Sequence, residues 1–91
     1  MHKPRTLLTF AVRVIDGATL DTPDDRVRLA RVAAPTLDEP GGTAARDRLR
    51  ELVAGEWIEV EGVARDSLTH LLAEIRARGG SVNEAMRQLL G

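Results

Sequence analysis

The sequence predicts a mainly β, α+β fold: a five-stranded Greek-key barrel with one helix between the third and fourth strands and a second helix at the C-terminal end. Three observations predict it. Apolar residues recur with period two in five short runs. Turn-forming pairs and Gly/Pro clusters separate most of the runs. Two later segments switch to a helical period. An open α+β sheet is the main alternative for the same elements.

The first run alternates Leu8, Phe10, Val12 and Val14 with Thr9, Ala11 and Arg13, so one face is expected to be buried. Asp16-Gly17 signals a tight turn, and "ATLDT", residues 18–22, returns as a second strand. "TPDD" turns the chain again into a third strand, where Val27 and Leu29 alternate with Arg28 and Ala30. The loop "APTLDEPGG" holds two prolines and two glycines and forms no regular element. From Thr43, Ala45, Leu49, Leu52 and Val53 make one helical stripe, and Gly55 stands where the helix ends. In "EWIEVEG", Ile58 and Val60 share one face while Trp57, Glu59 and Glu61 share the other. "HLLAEIRA" alternates Leu71, Ala73 and Ile75, and Gly79-Gly80 closes it. Ser81 to Glu84 reads as a capping box for a last helix whose stripe is Val82, Ala85, Met86, Leu89 and Leu90. Five strands with a helix after the third match a barrel of the oligonucleotide/oligosaccharide-binding type.

Composition bounds the function. Ninety-one residues suit one domain, residues 1–91, with a modest core. A net charge of −1 argues against a polybasic nucleic-acid binder, so any such site is a local patch. The chain has no cysteine, which excludes disulfides, thiol catalysis and thiolate metal sites. No apolar run reaches the roughly 20 residues that span a bilayer. Arg13 and Asp16 follow the basic start too soon for a secretory signal, and a soluble cytoplasmic protein is the expectation. His2, in the leading tail, carries no functional information. Twelve arginines against one lysine read as a compositional bias of the source. Phe10 and Trp57 are the only aromatics, few platforms for stacking single-stranded bases.

The runs "RVIDGATL", "VRLARVAAP", "GGTAARDRLRELVAGEWIEVE" and "LLAEIRARGGSVNEAM", in that order from Val12 onward, resemble the staphylococcal nuclease (thermonuclease-like) domain family. The resemblance implies an enzyme that cleaves phosphodiesters with one calcium ion. Such a hard cation needs several oxygen ligands. The family's "D-G-D-T" carboxylate falls on Ala18, and its "D-[TA]-P-E" carboxylate falls on Ala33. The glutamate that would orient the attacking water falls on Thr36. Of the two arginines that would offset charge on the phosphate, Arg28 is retained and His70 stands in place of the other. "D-[RK]-Y-G-R" reads "DSLTH", so Ser67, Leu68 and Thr69 replace the base, the tyrosine and the glycine. Methyl groups cannot ligate calcium. The resemblance therefore implies a nuclease-like domain with no catalytic residues, no metal ligands and no cofactor.

What survives is a set of binding candidates. Arg28, Arg31 and His70 are candidates for contacting phosphate or another ligand, against plain readings as a strand arginine paired to Asp16 or a loop carboxylate, an outward-reaching side chain, and an exposed strand-start histidine. Trp57, Leu89 and Leu90 are candidates for an interaction surface. Family members continue beyond the last helix, so its stripe is expected to want a cover, from a partner protein or a second copy. Three functions are open: an inactive binding module for a nucleic-acid backbone or a protein segment, a nuclease whose metal site is rebuilt from Asp16, Asp38 or Glu39, and a self-associating structural protein. No membrane role is expected.

Overall fold

In a computed structural model, residues 6–91 are described, so His2 lies outside the described residues. The elements are β1 (Thr6–Thr9), β2 (Arg13–Asp16), β3 (Thr19–Asp21), β4 (Arg26–Leu29), α1 (Gly42–Val53), β5 (Ile58–Arg65), β6 (Leu71–Ala77), β7 (Gly80–Ser81) and α2 (Val82–Leu90). The protein is mainly β with two helices. The strands join in one sheet in the order β1-β5-β6-β4-β3-β2, with β7 beside β6. All pairings are antiparallel except β4 with β6.

Periodicity predicts five strands, and the structure has seven for two local reasons. The first run is not one strand. Its chain bends at Phe10–Val12, and β1 pairs with β5 while β2 pairs with β3. The bend changes which face is inward. Thr9 and Val14 are buried, whereas Leu8 is 62% exposed and Phe10 and Val12 are also exposed, contrary to the single buried face expected. A period-two pattern survives only while the strand stays straight. The second reason is the Arg78-Gly79 turn, whose positive φ values of 54° and 77° send the chain back as the two-residue β7. Both central residues lie in the left-handed region that a two-residue hairpin prefers.

Most of the expected inward positions of the other strands hold, with Leu71 only half-buried. Leu20, Val27, Leu29, Ile58, Val60, Ala73 and Ile75 are buried, as are Ala45, Leu49 and Val53 of α1. These and Val82 and Met86 of α2 belong to one contiguous core. Each fully buried Leu or Ile contributes about 1.5–3 kcal/mol of apolar transfer.

Two glycines let α1 dock. A Cβ on Gly17 would stand 2.6 Å from the Ala45 methyl, and one on Gly42 would stand 1.9 Å from the Thr36 carbonyl oxygen. The capping box is only half made. Ser81 Oγ accepts from the Glu84 N–H at 3.1 Å, but the Glu84 carboxylate binds Arg87 at 3.1 Å.

Asn83 ties α2 to the sheet. Its side chain is fully buried inside the stripe where the sequence suggested only apolar residues. Oδ1 accepts from the Ile75 N–H at 2.9 Å, and Nδ2 donates to the carbonyls of Ala73 at 2.9 Å and Ala30 at 3.1 Å. β4 ends at Leu29 and the chain turns at Arg31, whose φ is 56°. The Asn83 amide thus satisfies the β6 backbone where β4 no longer runs beside it.

Candidate functional site

The Asp16–Ala18 turn and the loop after β4 meet. A Cβ on Gly17 would lie 3.1 Å from the Ala34 methyl, so the two segments that the resemblance assigns to a metal site are neighbours. Their side chains offer no such site. Ala18 is 4% exposed and belongs to the core, its N–H held by Asp16 Oδ1 at 2.8 Å and its carbonyl accepting from Leu29 N–H at 2.8 Å. A carboxylate at position 18 would have to be desolvated, at a cost met only by a cation or hydrogen-bond donors. Ala33 is exposed.

Thr36 gathers both loop carboxylates. Its N–H donates to Glu39 Oε1 at 2.8 Å, and its hydroxyl lies 2.5 Å from Asp38 Oδ1 and 2.9 Å from Glu39 Oε1. The Thr36 hydroxyl holds Asp38 below its usual carboxylate range. The Thr36 N–H, with its hydroxyl, lowers Glu39 despite the nearby Asp38 charge. Asp16 is bound by its own turn. Among the described residues, no three His, Cys, Asp or Glu side chains group to hold a metal ion.

Arg28 and His70 do come together, around Asp66. The "DSLTH" segment is a turn in which Asp66 Oδ1 accepts from the N–H groups of Leu68 at 2.8 Å and His70 at 2.9 Å. Its other oxygen lies 3.1 Å from His70 Nδ1 and 4.0 Å from the Arg28 guanidinium. Burial pushes the Asp66 carboxyl up, but the two backbone donors and His70 outweigh it, and the net shift is downward. The partner of Arg28 is therefore a loop carboxylate and not Asp16. His70 is half-buried and paired, where an exposed side chain was the plain expectation. Thr69 has φ 65°, a left-handed conformation rare for a β-branched residue.

Arg31 stands apart. It lies beyond the end of β4 and its guanidinium reaches Glu74 at 3.5 Å. Arg87 holds that turn, donating to the carbonyls of Arg31 at 3.1 Å and Ala30 at 3.0 Å and pairing with Glu74 at 3.2 Å. On the outer face of β4 and β6, Arg28 is in register with Leu72. Next to that row, Ala30, Arg31, Val63, Leu72 and Glu74 line a depression of about 300 Å³.

Trp57 points away from the core at 66% exposure, and its ring meets Phe10 edge-on at 5.8 Å. Its neighbour is thus the β1–β2 bend. Leu89 is 52% exposed, but Leu90 is half-buried against the core, so only part of the terminal stripe is uncovered.

Sequence reasoning missed Asn83 and Arg87. An asparagine three residues before a core methionine on a helix is a detectable signal. Arg87 had none, because its partners are mainly backbone carbonyls distant in sequence. Among the described residues, no helix is long and apolar enough to cross a membrane. In comparison with known proteins, no family model and no curated protein matches the chain.

Proposed function

We propose that the chain is a nuclease-like binding module of the staphylococcal nuclease type that no longer cuts. The observation that carries this reading is chemical. Where the resemblance expects oxygen ligands and a water-orienting carboxylate, the chain has the core methyl of Ala18, the methyl of Ala33 and the engaged hydroxyl of Thr36. The retained Arg28, its side chain half-exposed, lies beside Asp66, which also holds His70. A guanidinium in that setting binds a phosphate or carboxylate without bond cleavage.

Two further observations support the alignment behind it. β1 and β2 stand at opposite ends of the strand order yet are joined by only residues 10–12. This short link supports reading them as one bent strand of a five-stranded barrel. Thr69 adopts a glycine-like φ of 65° at the position where the family pattern has glycine.

The ligand is an extended chain lying across Arg28 and the neighbouring depression, either a nucleic-acid backbone or a protein segment. A cytoplasmic setting belongs to the proposal, and cell fractionation tests it. The functional test is incubation of the purified protein with single-stranded DNA and calcium, followed by a salt series of binding. The proposal expects no cleavage products. A phosphate ligand gives a log–log slope of about −0.7 per contact, while a protein segment gives little salt dependence. Metal-dependent cleavage that disappears in Asp16→Ala would sink the reading.

Exposed Leu89 favours a second reading, self-association through α2. Sedimentation at low micromolar concentration tests it, and a strictly monomeric particle counts against it.

A further inference from the structure

We infer that a second surface, between α1 and the outer face of β2, β3 and β4, docks a short peptide segment of a partner protein in which carboxylates alternate with aliphatic residues. The inference takes up the binding reading above but places it on a different surface. Four arginines, Arg13, Arg26, Arg46 and Arg50, line one depression of about 460 Å³ together with Ile15 and the exposed Leu37.

The arrangement follows from two periodicities. Arg13 and Arg26 face the same β3 residue from opposite sides, since the register pairs both with Asp21. Arg46 and Arg50 stand at i and i+4 on α1, one turn apart. Asp21 binds Arg26 at 2.8 Å and Arg13 at 3.4 Å. Asp47 lies 3.2 Å from Arg46 and 3.7 Å from Arg50. Four guanidinium groups thus share two carboxylates, and two positive charges are left around the depression. The side chains of Arg13 and Arg50 are more than half exposed, which leaves room for an incoming carboxylate.

The lining decides between anions. A nucleic-acid backbone has no aliphatic group to cover Ile15 and Leu37, and no aromatic side chain lines this depression for a base to stack on. A surplus of two charges suits one or two carboxylates better than a polyphosphate. The volume suits a few side chains and not an extended strand. A peptide carrying a leucine or isoleucine between glutamates answers both features, with the aliphatic group against Ile15 and Leu37 and carboxylates forked by the arginines.

The test is fluorescence anisotropy of a labelled peptide alternating glutamate with leucine. Arg46→Ala with Arg50→Ala keeps helix propensity and should weaken binding by about tenfold or more. Arg48→Ala, which removes one arginine from the same helix outside the depression, should change it by less than about twofold, and Arg50→Ala alone should weaken it more than Arg48→Ala does. Leu37→Ser, on an exposed loop, and a peptide with serine replacing leucine should each weaken binding by about tenfold. Absence of peptide binding would overturn the inference. So would displacement of the peptide by an oligothymidylate at equal concentration, or an equal loss in Arg48→Ala. Loss in Arg28→Ala alone would overturn it too while leaving the proposed function standing.

Discussion

Replacing Asn83 by alanine tests how α2 is held. Of the three groups that bind its amide, Ala73 carbonyl keeps the Ala30 N–H at 2.9 Å, and Ala30 carbonyl keeps Arg87 at 3.0 Å. The Ile75 N–H, deep in the core, loses the acceptor that Asn83 gave it at 2.9 Å. An unsatisfied buried donor costs about 1–3 kcal/mol, and each of the other two lost bonds about 1 kcal/mol. The expected loss is about 3–5 kcal/mol, a large part of the roughly 5–15 kcal/mol that stabilises a domain. At about 4–8 °C per kcal/mol, Tm should fall by about 12–40 °C. Asn83→Asp keeps an acceptor for Ile75 but aims a carboxylate oxygen at two carbonyls, so at neutral pH it should cost at least as much. Urea unfolding followed by Trp57 emission and by circular dichroism measures both. A loss below about 1 kcal/mol for Asn83→Ala would refute the argument, because a side chain with those three partners cannot be removed so cheaply.

Gly42→Ala should destabilise by about 2 kcal/mol or more, since the added methyl meets the Thr36 carbonyl 1.9 Å away, backbone that cannot swing aside; thermal unfolding checks it. Thr69→Gly should raise stability by about 0.5–1 kcal/mol, because relief of the left-handed strain at φ 65° exceeds the added chain entropy of glycine; no gain in urea midpoint would count against that conformation. Asp21, held down first by the Arg26 hydrogen bond, and Asp38, Glu39 and Asp66 all have lowered pKa values. A carboxyl lowered in the folded state lends stability that is present above its unfolded pKa, about 4, and lost as pH falls through the folded value. The stability these carboxyls lend should therefore be constant down to about pH 5 and lost below about 4, with a shallower fall in Asp66→Asn.

Much of this fold was legible because its middle is regular. Straight strands such as β4 and β5 keep their alternation, so Val27, Leu29, Ile58 and Val60 can be assigned inward from the letters alone. The β1–β2 bend was not legible. Nothing in "LLTFAVRV" announces that inward positions pass from Thr9 to Val14, an odd step that needs a change of face. The candidate site divides in the same way. That Ala18, Ala33 and Thr36 carry no carboxylate can be read directly. The gathering of Arg28 and His70 on Asp66 depends on a turn closed by backbone donors. The four-arginine depression depends on α1 packing against β2 and on Arg26 of β4 reaching the same place, which no single segment encodes.

The most direct test of the proposal that this chain is a nuclease-like barrel lacking the oxygen ligands for calcium is a calcium titration followed by amide NMR. The account predicts no saturable shifts at Asp16–Ala18 or Ala33–Thr36 up to millimolar calcium. Saturable shifts confined to those two segments, lost on Asp16→Ala, would contradict it.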